Sequence, residues 1–185
     1  MTQENPRDRL RDIIREKSFK YGDFTLASGK KSDVFFNMKL TMLDPEGSQL
    51  LADAILEIMT RDQIRVVGGI AVGGVPLVAA VCVKSYPTYP VKAFYVRDKV
   101  KDHGIMEQVD GFLDDGDEVI LLDDVITTGG SVMKAVKAAR GRNCRIRKIV
   151  TVVDRCEGGR ENLAAEGLDL EALYDRSDFV PAAAK

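Results

Sequence analysis

The 185-residue chain contains no tryptophan, one histidine and three cysteines. Cys82, Cys144 and Cys156 are odd in number, scattered and without a Cys-x-x-Cys spacing. That argues against a disulfide framework or a zinc site and fits a reducing, cytoplasmic setting. Neither sign of charge is in excess: 27 Lys and Arg face 29 Asp and Glu, a net charge of -2. Nothing global therefore calls for nucleic acid or an anionic membrane as partner, and local groups must do any phosphate binding. Long hydrophobic runs are also missing. The most apolar stretch, Val75 to Val83, falls far short of the about 20 residues of a membrane helix. The N-terminus is polar and charged, so no secretory signal is expected. No internal repeat or low-complexity segment appears, and only the tail from Pro181 to Lys185 looks frayed.

What the chain does have is a hydrophobic content of 45%, enough for a single domain over residues 1–185 with a substantial core. Its most informative stretch runs from Glu118 to Ser131. Val119 to Leu122 is a short apolar run, the mark of a buried strand in a parallel sheet. Asp123 and Asp124 stand at its end. Val125, Ile126, Thr127, Thr128, Gly129 and Gly130 lead into Ser131, where a helical pattern begins with Val132, Ala135, Val136 and Ala139. A helix N-terminus with free N–H groups attracts anions, and glycine lets the backbone come close to a phosphate. The hydroxyls of Thr127, Thr128 and Ser131 add donors. The two acids suit sugar hydroxyls, directly or through a metal ion. The implied ligand is a phosphorylated sugar, although an ordinary strand-to-helix turn with acidic caps would share the outline. It is not a Walker A loop, since no Gly-Lys-Ser/Thr follows.

In chain order, Asn5-Pro6 starts a helix to about residue 17 with Leu10, Ile13 and Ile14 on one face. Ser28 to Ser32 forms a tight turn between two extended segments, the second carrying Phe35 and Phe36, one of which belongs to the core. Asp44-Pro45 starts a second helix with Leu51, Ala54, Ile55, Ile58 and Met59 at helical spacing. Ile64 to Ile70 is a strand, followed by the Gly73-Gly74 loop and an apolar helix to about Lys84. Lys92 to Arg97 is another strand. Asp98 to Asp110 is charged and without clear periodicity. Arg147 to Asp154 is a fourth buried strand, and Leu168 to Leu173 an edge strand. Strands alternating with helices predict an α/β fold with a parallel sheet and right-handed crossovers. Ligands then bind beyond the carboxyl ends of the strands. The Gly73-Gly74 loop, Arg97, the Asp123-Asp124 loop and Arg155 all fall there. His103 lies in a polar loop with Lys99 and Lys101, either a solvated charged segment or a lid for a polyanion. Arg155 is either a salt-bridge partner or a bidentate clamp for a carboxylate.

"VILLDDVITTGGS" resembles the phosphoribosyl pyrophosphate (PRPP) signature of the type I phosphoribosyltransferases. "FTLASGKKSDVFFN", "VRDKVKDHG" and "DRCEGGRENL" extend the resemblance to the orotate phosphoribosyltransferase family, in the same order, over residues 21 to about 179. It implies that family's parallel-sheet fold with a small N-terminal hood, about residues 1–40, over the base. It implies transfer of phosphoribose from PRPP to orotate, giving orotidine 5′-monophosphate and pyrophosphate in pyrimidine (UMP) biosynthesis. Mg²⁺ would be the cofactor, held through PRPP and water with no direct protein ligand. The partners would be the two substrates and a second copy of the chain, in a homodimer that shares its active site.

By the same resemblance Asp123 and Asp124 orient the ribose and stabilise its cationic character, and residues Val125 to Ser131 hold PRPP. Gly73 and Gly74 approach the pyrophosphate. Arg97, Lys99, Lys101 and His103 cover it, with Lys101 or His103 as proton donor. Phe35, Phe36, Thr127 and Arg155 hold orotate. The family's lid reads Arg-Lys-x-x-Lys-x-His. Arg97, Lys101 and His103 match, but Asp98 stands at a lysine position and Lys99 one place later, as though two charges were exchanged. Some members also carry lysine at the positions of Ala27 and Gly73. The alternatives are a transferase for another nucleobase and a non-catalytic PRPP-sensing regulator.

Overall fold

The first helix, α1 (Pro6–Lys17), begins where the Asn5 side chain accepts the Arg7 N–H and proline occupies the first turn. It buries Leu10, Ile13 and Ile14, the face read from their spacing. The computed structural model describes residues 5–25, 29, 31–97 and 108–180. After α1 comes an antiparallel hairpin, β1 (Phe19–Thr25) with β2 (Lys31–Phe36), a two-stranded sheet separate from the main one. A one-turn helix, α2 (Lys39–Met42), follows. The long helix α3 (Pro45–Asp62) is capped by Asp44, which accepts the Gly47 N–H at 2.9 Å.

The main sheet has six strands in the order β5-β4-β3-β6-β7-β8. In chain order these are β3 (Val66–Ile70), β4 (Lys92–Val96), β5 (Val109–Gly111), β6 (Glu118–Ile126), β7 (Arg145–Asp154) and β8 (Leu170–Asp175). All pairings are parallel except β4 with β5. Helices α4 (Gly74–Ser85), α5 (Val132–Gly141) and α6 (Gly159–Ala165) complete the chain. Side chains alternate across a strand, and β6 feeds two cores accordingly. Ile120 and Leu122 join Leu77, Val78 and Val81 of α4 on one face. Val119 and Leu121 join Val132, Ala135, Val136 and Ala139 of α5 on the other. Each fully buried aliphatic side chain contributes about 1.5–3 kcal/mol.

β3 sends its chain to β4 on one side and β6 sends its chain to β7 on the other. Their crossover helices cover opposite faces, so the crevice opens where the β3 and β6 ends diverge. Glycine permits the close approach there. A Cβ on Gly74 would lie 3.0 Å from the Gly69 Cα and 3.1 Å from the Leu122 carbonyl oxygen.

Four features differ from the sequence reading. Strand β6 does not stop at Leu122 but runs through the acid pair to Ile126, because β7 supplies a ladder that far, with Val125 opposite Val153 and Ile126 opposite Asp154. Within the segment read as lacking periodicity, Val109 and Asp110 begin β5, whose order comes from pairing with β4. Helices α2 and α6 were not expected. At the open end of the β4–β5 stem Arg97 and Gln108 exchange two hydrogen bonds, 2.9 and 3.2 Å.

Candidate active site

Asp123 is 4% exposed. Its Oδ2 accepts the Ser131 hydroxyl at 2.9 Å and its Oδ1 accepts the Asp124 N–H at 3.1 Å. Asp124 Oδ1 accepts the Val125 N–H at 3.0 Å. Burial first, and the charge of Asp124 second, push Asp123 up to about 7. Burial also raises Asp124, against the pull of the Val125 N–H and the positive charge of Lys39. Ionised carboxylates held in so poor a solvent for charge gain strongly from a nearby cation.

Gly73 faces this pair from the end of β3. A Cβ added to it would lie 2.9 Å from Asp124 Oδ1, so the two loops meet across the crevice and any side chain at 73 would crowd the acid.

The loop from Thr127 to Ser131 is largely exposed, with Gly129 buried and in the left-handed region at φ 81°. Among the described residues, none of the backbone N–H groups from Thr128 to Ser131 has a backbone acceptor. Ser131 does not cap α5 with its side chain, because its hydroxyl is turned back to Asp123. The hydroxyl, expected from sequence as a donor to an anion, is thus engaged by the acid pair here. Helix α6 backs the loop: Asn162 donates to the Thr128 carbonyl at 3.0 Å, and a Cβ on Gly159 would lie 2.6 Å from the Thr127 carbonyl oxygen.

Arg155 follows β7, its N–H donating to the Ile126 carbonyl at 2.9 Å beside Thr127. The residue is 5% exposed. Its Nη2 donates to Ser32 of the hairpin at 2.8 Å and lies 2.5 Å from Glu157 Oε1. Its Nε is buried without a partner among the described residues. Phe36 packs in the core against Phe19 and Phe179, each at 5.2 Å, whereas Phe35 is 39% exposed and meets Phe24. An ion pair of Arg176 with Asp33 ties the hairpin to the C-terminal turn.

Arg97 does not stand free over the crevice. Its guanidinium pairs with Asp110 across the β4–β5 stem, which raises its pKa. Asp98, Lys99, Lys101 and His103 lie outside the described residues. The structure thus brings together Gly73, Gly74, Asp123, Asp124, Thr127 to Ser131 and Arg155. Sequence reasoning missed Ser32, Glu157 and Lys39. Only Glu157, two places beyond Arg155, carried a local signal.

Among the described residues no helix is long and apolar enough to cross a membrane. The phosphoribosyl transferase domain family matches residues 42–168. The orotate phosphoribosyltransferase of Rhodopseudomonas palustris (strain TIE-1) is 44% identical, over 97% of this chain and 99% of its own length. That of Aquifex aeolicus is 38% identical, over 94% and 97%. The crystal structure of the Mycobacterium tuberculosis H37Rv orotate phosphoribosyltransferase with Fe(III) dicitrate aligns with a TM-score of 0.84 at 30% identity, covering 96% of this chain and all of that one. The same enzyme in complex with PRPP aligns at 0.79 and 27% identity, covering 95% and 99%. The chain belongs to the phosphoribosyltransferase family, in its orotate phosphoribosyltransferase branch.

Proposed function

We propose that this site transfers the 5-phosphoribosyl group of PRPP to orotate, releasing pyrophosphate and giving orotidine 5′-monophosphate for pyrimidine biosynthesis. The observation that carries the reading is the acid pair of β6, Asp123 buried and Asp124 half-buried, beside an anion-ready loop and one strand away from a buried arginine whose Nε has no partner among the described residues.

The bond from the anomeric carbon to pyrophosphate breaks as a ring nitrogen of orotate bonds to that carbon, and the ribose gathers positive charge on the way. Asp123 and Asp124 face that charge and accept the ribose hydroxyls. The raised pKa values of the pair support this role, since such carboxylates gain most where positive charge develops. The N–H groups of Thr128 to Ser131, at the head of α5, hold the 5′-phosphate, with Val125, Ile126 and Thr127 lining the approach. Gly73 and Gly74 admit the pyrophosphate close to the backbone. Arg155 takes the orotate carboxylate, with Thr127 and the Phe35–Phe36 stretch of the hood around the ring. Lys99, Lys101 and His103 close over the pyrophosphate from residues 98–107, with Lys101 or His103 donating a proton. Arg97 anchors the stem of that loop.

Among the described residues no three His, Cys, Asp or Glu side chains gather to hold a metal. Two carboxylates with substrate phosphates and water are the ordinary setting for Mg²⁺, so the donor set fits an ion that would arrive on PRPP and be held through PRPP and water, beside Asp123 and Asp124. The ion's chemistry is to neutralise the departing pyrophosphate. The three free thiols suit a reducing cytoplasm.

The active enzyme is a homodimer in which one copy's lid closes over the other's PRPP loop. A groove of about 500 Å³ beside α4, lined by Met42, Leu43, Pro76 and Val83 among others, supports this assembly. Leu43 and Val83 there are 72% and 79% exposed, an apolar face of the kind that protein partners cover.

Asp124→Asn tests the reading. It removes one charge-dependent contact, worth on the order of 3 kcal/mol at a transition state or about a hundredfold in turnover. The variant should keep its fold by circular dichroism. Near-normal turnover with orotate would contradict the assignment of Asp124.

A further inference from the structure

The turn after β7 carries two opposite charges into one place. Asp154 accepts the Cys156 N–H at 2.8 Å, Cys156 is left-handed at φ 55° and Gly158 at φ 89°. The chain therefore doubles back, and Glu157 Oε1 comes to 2.5 Å from Arg155 Nη2. The same nitrogen donates to Ser32 Oγ at 2.8 Å, so one of its hydrogens is engaged while the Glu157 carboxylate pairs with its charge. A carboxylate binds a guanidinium best through two adjacent N–H groups. Two edges of arginine offer such a pair, Nε with Nη2 and Nη1 with Nη2, and both include Nη2. An incoming carboxylate thus meets a nitrogen that Glu157 already holds, next to a buried Nε without a partner among the described residues.

We propose that Glu157 is a stand-in carboxylate, which neutralises Arg155 in the free enzyme and yields Nη2 to the substrate, so that orotate binds by exchange of one carboxylate for another. This rests on the reading above that Arg155 receives orotate. The exposures of the two side chains fit an exchange: Arg155 is 5% exposed and Glu157 36%. A buried guanidinium without a counter-charge is costly, whereas a half-exposed glutamate returns to water cheaply. The exchange also sets specificity, because a pyrimidine without a carboxylate offers Arg155 nothing in return and leaves it on Glu157.

The test is a split of kinetic constants at saturating co-substrate. Glu157→Gln should lower KM for orotate by about tenfold, equivalent to about 1.4 kcal/mol, and leave KM for PRPP unchanged. Glu157→Asp, one methylene shorter, should move KM for orotate in the same direction and serves if the first variant folds poorly. An orotate KM that is unchanged or raised in a folded variant overturns the exchange. Arg155→Ala separates the exchange from the clamp beneath it. If it raises the orotate KM while the Glu157 variants lower nothing, the exchange fails and the carboxylate clamp stands. If it leaves the orotate KM unaltered, the clamp fails and the exchange with it.

Discussion

Asp123→Asn should make the protein more stable and less active, by an amount that depends on pH. Asp123 is 4% exposed, and burial, reinforced by the charge of Asp124, pushes its pKa from 3.8 up to about 7. Between those two values the folded protein keeps a proton that the unfolded chain has lost. Stability therefore falls as pH rises through that window, and the full cost is present above about 7. Every tenfold tightening of proton binding on folding corresponds to about 1.4 kcal/mol, so the ionised acid costs the fold on the order of a few kcal/mol at pH above the window. Asparagine removes that cost and preserves the local bonds. Its oxygen accepts the Asp124 N–H as now, and its amide donates to a Ser131 hydroxyl that turns to accept. Urea denaturation of both proteins at about pH 8 and about pH 5 measures the gap. The variant should be the more stable at the higher pH, the gap should narrow at the lower, and turnover should drop. An equal gap at both values, or a less stable variant at the higher pH, would refute the reasoning that the site holds this carboxylate against its preference.

Three further outcomes follow from the same geometry. Gly159→Ala should destabilise by about 1–3 kcal/mol and raise KM for PRPP, since its Cβ would lie 2.5 Å from Ile126 Cγ2 and 2.6 Å from the Thr127 carbonyl oxygen; an unchanged melting temperature would show that the loop yields freely. Asp98→Lys should raise turnover or tighten pyrophosphate binding, and a clear loss of activity would show that the loop works differently here. Mixing Lys101→Ala with Asp124→Asn should restore roughly one quarter of wild-type activity, because about half of randomly paired dimers are mixed and each then has one intact site. Subunit exchange shown by co-purification, with no activity regained, would refute a shared site.

The long elements were legible because local signals and tertiary demands agree in them. Asn5-Pro6 and Asp44-Pro45 mark helix starts by capping chemistry alone. The apolar runs around Val67, Ile120 and Val150 are buried on both faces of the sheet, so they read as strands without any pairing information. Short elements were not legible. Helix α2 is a single turn whose order comes from burying Met38, Thr41 and Met42. Strand β5 is three residues that exist only against β4. The acid pair was found, but its strand was cut short because two aspartates look like a strand end until β7 is seen to carry the ladder past them. Ser32 reaches Arg155 across 123 positions, a contact no local pattern encodes. Glu157 sat in plain view, yet its hold on Arg155 depends on the left-handed Cys156 and Gly158 on either side of it.

The most direct test of the central claim is pyrophosphate release from PRPP and Mg²⁺ in the presence of single bases: orotate, uracil, adenine and hypoxanthine. The account predicts rapid release with orotate, little with uracil because it brings no carboxylate to Arg155, and none with the purines. Release with a purine, or no release with orotate from protein that binds PRPP, would contradict it.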